Sequence, residues 1–178
     1  MSERVVRDKN IEVRGDETVE AYGNSVVNAY DNSTVHAHDN SEVIAHDNST
    51  VDAYDNSEVI AYNDSEVYAY GSSTVETYDK SRVIGYDKSK ISARNNSKVY
   101  AHNDCMVFAV NNSTVKAYGG SIVYAWDDSI VYAFDESVVK AHERSIIGNK
   151  SPYAIVVDFR KMKIILNPES PFTLEKEG

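Results

Sequence analysis

The sequence predicts an all-β fold, a two-sheeted parallel β-solenoid of about sixteen residues per coil, capped at both ends. Three observations carry this expectation. First, eight-residue blocks, most of them spelling Ser-x-Val-x-Ala-Tyr/His-Asp-Asn, follow one another from Lys9 to about Gly148 with no insertion or deletion. A looped globular fold tolerates length changes between its elements, so a period held this strictly makes each block one physical unit stacked on its neighbours. Second, in a block such as Ser41 to Asn48 the Ser, Val and Ala fall at i, i+2 and i+4 and share one face of a strand. Third, local variants return after two blocks: Ser41-Glu42-Val43-Ile44 recurs as Ser57-Glu58-Val59-Ile60, and Asn32-Ser33-Thr34-Val35 as Asn48-Ser49-Thr50-Val51.

Residues 1–16 form the N-terminal cap. A period-two pattern persists in Val5, Ile11 and Val13, but Arg4, Arg7, Lys9 and Arg14 stand among Glu3, Asp8, Glu12 and Asp16, as a terminal rung facing water requires. Residues 17–148 form the solenoid. Val recurs at 27, 35, 43, 51, 59, 67 and 75, and the column continues as Ile91, Val99, Val107, Val115, Val123, Val131 and Val139. Each stands two residues before a small side chain, so the column faces inward, while the residues between vary freely and face water. At roughly 1.5–3 kcal/mol per buried Val or Ile, the column opposes chain entropy without a metal or a disulfide. The remaining three residues of a block, such as Tyr30-Asp31-Asn32, make the corner, where Asp, Asn and Gly tolerate left-handed backbone. Residues 149–178 form a C-terminal β cap and tail. The repeat breaks at Ser151-Pro152, two apolar strands follow over Tyr153–Phe159 and Met162–Leu166, and Pro168 and Pro171 lead into a charged end. An uncapped solenoid polymerises end to end, so two caps argue for a discrete particle.

No apolar run approaches a membrane span and Met-Ser-Glu-Arg-Val-Val-Arg lacks a signal-peptide stretch, so the expectation is a cytoplasmic protein with no membrane contact, in a bacterium or a phage-infected host. Cys105 is the only cysteine and replaces an inward Ser, which reads as a buried, inert thiol.

Charge is unevenly spread. Between Ser25 and Ser72 stand nine acids, Asp31, Asp39, Glu42, Asp47, Asp52, Asp55, Glu58, Asp64 and Glu66, with no Lys or Arg, in a chain of formal net charge −10. Lys80, Arg82, Lys88, Lys90, Arg94 and Lys98 follow, so the rod changes from acidic to mildly basic midway. Stacked like charges repel, and an acidic half-rod therefore costs stability and is expected either as a solubility field or as a surface kept for a partner. Direct nucleic-acid binding is disfavoured by the sign of the charge.

The second anomaly is apolar. Met106 and Phe108, Ile122 and Tyr124, and Val138 take outward positions in consecutive rungs of one sheet, with Val110 and Trp126 at the adjoining corner. A patch of this size is expected to be covered, by the C-terminal strands folding back over it or by a partner, including a second copy in a dimer. Aromatic residues also recur at the corners, in one column through Tyr22, His38, Tyr54, Tyr70, Tyr86, His102, Tyr118 and Phe134 and another through Tyr30, His46, Tyr62, Tyr78, Trp126 and His142. Both are expected as stacking ladders.

Other chemistries fit poorly. His36 and His38 with Asp52 and Tyr54 resemble a surface metal pair, but nothing fixes a second shell, and no metal site or cofactor is predicted. A column of Thr18, Thr34, Thr50 and Thr114 is interrupted by Glu66, Arg82 and Lys98, which spoils any ice-matching lattice. Asn63, Asn95 and Asn111 replace corner Asp, against a calcium cage. Three-residue corners leave no loops to wall a cleft, so no catalytic residues are assigned and the chain is expected not to be an enzyme.

Units such as Gly71-Ser72-Ser73-Thr74-Val75 and Asp31-Asn32-Ser33-Thr34-Val35 resemble those of uncharacterised bacterial and phage octapeptide-repeat proteins, over about four fifths of the chain. The resemblance implies the solenoid and no activity. Pentapeptide-repeat rods, some of which present acidic faces to DNA-handling enzymes, are an analogy of outline only. The expected function is a rigid structural or protein-interaction module. The alternatives are an acidic DNA mimic that inhibits a nucleic-acid-handling host or defence enzyme, and a virion or tail component.

Overall fold

The computed structural model describes residues 3–171 and contains strands and turns alone among them. In chain order the strands are β1 (Glu3–Arg7), β2 (Asn10–Val13), β3 (Thr18–Tyr22), β4 (Val26–Ala29), β5 (Thr34–Ala37), β6 (Glu42–Ala45) and β7 (Thr50–Ala53). Then come β8 (Glu58–Ala61), β9 (Glu66–Ala69), β10 (Thr74–Thr77), β11 (Arg82–Gly85), β12 (Lys90–Ala93), β13 (Lys98–Ala101) and β14 (Met106–Ala109). The last are β15 (Thr114–Ala117), β16 (Ile122–Ala125), β17 (Ile130–Ala133), β18 (Val138–Ala141), β19 (Ile146–Lys150), β20 (Ile155–Asp158) and β21 (Lys163–Leu166). Odd strands β1 to β19 build one ten-stranded sheet, sheet A, and even strands β2 to β20 followed by β21 build an eleven-stranded one, sheet B. Two blocks therefore make one coil, as the alternation of variants predicts. Every neighbouring pair from β1 to β20 is parallel.

The core lies between the sheets and is one chemical sequence repeated. Val43 pairs with Val59 and Ala45 with Ala61 in register, and all four are fully buried. The third inward position is Ser, buried at the strand entrance, where Ser25, Ser41, Ser57 and Ser65 donate Oγ–H to the carbonyl three residues back at 2.6–2.8 Å. In these rungs the hydroxyl ties the corner to the strand while adding little volume, whereas others of the column, such as Ser33, Ser49 and Ser73, bury an Oγ without a partner. One coil trades sizes: Gly85 holds an Ala position beside Ile91, the isoleucine of the Val column, and a Cβ on Gly85 would collide with Ile91 Cδ1 and come within 2.8 Å of Ser89 Oγ.

The corners stack as regularly as the strands. Asp31, Asp39, Asp47, Asp55, Asn63, Asp79, Asp87 and Asn95 all have φ between 57° and 59°, and Gly71 has 65°. Side chains able to bond locally make this left-handed turn tolerable where glycine is absent. Backbone pairing continues around the bend, with the Asn48 N–H on the Asp31 carbonyl at 3.0 Å and the Asn56 N–H on the Asp39 carbonyl at 3.0 Å.

Both ends depart from the sixteen-residue offset by one residue. β1 pairs with β3 at an offset of fifteen, Arg4 on Val19 and Val6 on Ala21, while β2 pairs with β4 at sixteen. The corner at Asp8 is one residue short, and a one-residue slip exchanges the faces of a strand. The period-two reading through Val5 is corrected here: Val6 is buried, Val5 is 68% exposed, and Arg4 stands in the Val column with Glu17 at 3.6 Å. At the other end β19 carries a bulge between its Val131 and Ala133 partners, and β20 then pairs with β18 at an offset of seventeen, placing Asp158 in the Ala column. β20 is thus a further coil strand, and β21 reverses direction to pair antiparallel along its edge. Both termini put an ion-paired charge where the core would continue, a device that discourages further stacking.

Candidate interaction surfaces

The outer face of sheet B grows more apolar toward its C-terminal end. Register places Met106, Ile122, Val138, Ile155 and Leu166 in one outward column and Phe108, Tyr124, Lys140, Val157 and Ile164 in the next. The Phe108 and Tyr124 rings stack at 5.1 Å between centroids, and Trp126 lies beside them at 6.3 and 6.0 Å. From Trp126 the stack continues through His142 at 5.0 Å to Phe159 at a further 4.5 Å. The charge within the patch is Lys140, whose Nζ sits 4.5 Å from the Tyr124 ring centroid and donates to Tyr124 Oη at 2.9 Å.

All seven residues of the predicted patch, Met106, Phe108, Val110, Ile122, Tyr124, Trp126 and Val138, belong to strands β14, β16 and β18 or their corners. Yet the C-terminal strands do not fold back over them. β20 and β21 extend the sheet as further rungs and enlarge the patch, leaving Phe108 38% and Ile164 46% exposed. Ile155, Val157, Phe159 and Ile164 were outside the prediction because the bulge in β19 shifts the phase to seventeen. The continuous apolar run Ile155-Val156-Val157, which leaves an apolar residue on both faces of a strand, was the available signal.

The nine acids do not share one face. Glu42 and Glu58 form a column on sheet B, Asp52 and Glu66 lie on sheet A, and Asp31, Asp39, Asp47, Asp55 and Asp64 occupy corners on both sides. The corner carboxylates are in structural use. Asp39 Oδ2 accepts the Gly23 N–H at 2.9 Å, Asp31 Oδ2 the Gly15 N–H at 3.0 Å, and Asp55 Oδ2 the Asp39 N–H at 3.2 Å, each reaching back one rung. Glu66 binds Arg82 at 2.8 Å and accepts from Tyr68 Oη at 3.1 Å.

The two histidines weighed above as a surface metal pair turn to different carboxylates. His36 Nδ1 meets Asp52 at 2.9 Å, whereas His38 Nε2 meets Glu20 at 2.8 Å, and no three metal-ligating groups converge among the described residues. His38 is instead a ladder member between Tyr22 at 4.6 Å and Tyr54 at 4.9 Å. The ladder runs unbroken from Tyr22 to Phe134 at 4.6–5.2 Å. Neighbouring rings occupy each other's faces, which leaves edges for solvent and no open platform along its length. Guanidinium groups cover the lower end of each ladder, Arg7 over Tyr22 at 5.2 Å and Arg14 over Tyr30 at 4.2 Å. Burial in the stack raises the Tyr54 and Tyr70 hydroxyl pKa, and the hydrogen bond to Glu76 raises that of Tyr78. Burial likewise raises the Cys105 thiol, which contacts Ser89 Oγ at 3.2 Å.

No concave pocket opens among the described residues. No protein family, curated protein or solved structure matches the chain.

Proposed function

We propose that the protein is a non-catalytic, rigid β-solenoid that serves as a structural or protein-interaction module, making its contact through the outer face of sheet B from β14 to β21. The observation that carries this is the pre-stacked wall in which exposed Phe108 lies against the half-buried rings of Tyr124 and, at the adjoining corner, Trp126. Aromatic anchors already held in place lose little freedom on docking, and such residues dominate interface energetics. The test is capture on the immobilised protein from bacterial lysate at low and moderate salt, with identification by mass spectrometry. A salt-resistant partner lost from a Phe108→Glu, Tyr124→Glu variant is the expected result. Equal capture by that variant removes the face from consideration.

A second reading, acidic mimicry of DNA toward an enzyme that handles it, draws support from the acids surrounding the rod between β5 and β9. Glu42 and Glu58 stack one rung apart with no ion pair among the described residues. Under this reading DNA-handling enzymes are retained, elute steeply with salt, and are lost when Glu42, Asp52 and Glu58 become Lys. A virion or tail component remains the third reading, and it requires stable self-assembly.

A further inference from the structure

We infer that the partner for the sheet B face is a second copy of this chain, joined antiparallel about a twofold axis lying along β18. This rests on the proposal that the face is a contact surface, and adds the occupant.

The face is divided in a way that suits itself. Two strands on one side of β18, β14 and β16, carry the large rings, and two on the other side, β20 and β21, carry aliphatic side chains. A twofold axis parallel to the strands at β18 keeps every side-chain column opposite its own copy and reverses the order of the rungs. Phe108 then meets Ile164 of the second copy, Tyr124 meets its Val157, and Trp126 meets its Phe159. Phe108 and Tyr124 thus face the smaller Ile164 and Val157, and because both copies share the same spacing between rungs, the rungs stay in register across the interface.

Area and charge agree with this arrangement. Five strands at about 4.8 Å and five residues at about 3.3 Å cover roughly 400 Å² in projection. Counted on both copies this is roughly 800 Å² before side-chain relief, at the small end of weak, transient interfaces, and the dimer is therefore reversible. The antiparallel order sends the acidic strands β5 to β9 of the two copies to opposite ends, whereas a parallel pair would set them side by side. Lys140 opposes its own copy at the axis, and its ammonium is drawn aside over Tyr124.

Sedimentation equilibrium across the micromolar to submillimolar range tests the inference. The wild type is expected to pass reversibly from monomer to dimer. Phe108→Glu with Tyr124→Glu is expected to abolish dimerisation, while Tyr100→Glu on the outer face of sheet A leaves it unchanged. Circular dichroism melting confirms that each variant folds. Lys140→Met removes the opposed charges and is expected to tighten the dimer several-fold, a gain that a variant deficient in folding could not give. A wild type that stays monomeric throughout overturns the inference, as does a dimer that survives the double variant or dissociates equally with Tyr100→Glu. A monomer that still captures a different protein through Phe108 and Tyr124 refutes the second copy alone. Loss of neither self-association nor capture in the double variant refutes the contact face as well.

Discussion

Arg160 clasps the buried carboxylate of Asp158, with Nε on Oδ1 and a terminal nitrogen on Oδ2, both at 2.8 Å. The same guanidinium donates to the Ser145 carbonyl at 2.7 Å, so it ties β20 to the corner that precedes β19. Asp158 stands in the inward column held by Ala125 and Ala141 in the preceding rungs, 1% exposed, and ends the core with a neutralised charge. Removing the guanidinium strands that carboxylate, and Arg160→Ala is expected to cost about 3 kcal/mol. Chemical denaturation measures the loss, and Asp158→Ala combined with Arg160→Leu should recover most of it by restoring an apolar column.

The clasp also predicts a dependence on pH. Hydrogen bonding from Arg160 lowers the Asp158 pKa from 3.8 to about 2. The folded state therefore binds fewer protons than the unfolded one between these values. The stability it confers is complete above the unfolded value and is lost as pH falls toward 2. The unfolding midpoint of the wild type should drop more steeply from pH 4 to pH 2 than that of the Asp158→Ala, Arg160→Leu variant. Identical slopes would mean that the pair contributes nothing.

Gly85 and Ile91 predict a thermodynamic cycle. Gly85→Ala drives a methyl group into Ile91 Cδ1 and is expected to destabilise by about 1–3 kcal/mol, although alanine is the usual residue there. Ile91→Val opens the space at a cost of about 1 kcal/mol. Together they recreate the standard coil, so the double variant should approach wild-type stability. Additive losses would contradict the packing.

Ala61 is fully buried in the standard coil and has no such compensating glycine. Ala61→Leu should lower the unfolding midpoint by overpacking between the sheets, at roughly 1–3 kcal/mol. An unchanged midpoint would place Ala61 outside the core.

The corner aspartates separate shape from charge. At Asp39, with φ 59°, Asp39→Ala forfeits both the acceptor for Gly23 and the tolerance of left-handed backbone, for a loss of about 1 kcal/mol. Asp39→Asn keeps an acceptor oxygen and a side chain that tolerates left-handed backbone, which Asn63 and Asn95 adopt at the same corner position. Converting Asp31, Asp39, Asp47 and Asp55 together to Asn should raise the melting temperature at low ionic strength and change it little at high salt, because stacked charges are relieved where screening is weak.

The regular part of the fold was legible because each step of it is written locally. Val43 and Ala45 mark the inward face by period two, Asp47 and Asn48 mark the corner, and the return of Glu58 after Glu42 gives the coil length. What escaped depends on single-residue changes of phase. The short corner at Asp8 and the bulge in β19 each move one residue across a strand, which turned Val5 outward and carried Asp158 inside. A uniform period cannot reveal where it slips. Within the candidate surface, the wall of Phe108, Tyr124 and Trp126 was legible from its spacing. Its extension over Ile155 and Val157 was hidden by the same slip, and the scatter of the acids over both sheets became visible once strands were assigned to them.

Since alternate blocks belong to opposite sheets, the gain or loss of one block would transfer every later surface residue to the other side of the rod. Gain or loss of two blocks moves the far end by one strand spacing, about 4.8 Å, and leaves all surface patterns aligned. The molecule is in this sense a ruler graduated in pairs of octads. Its length can be reset in even steps without redesigning what it displays.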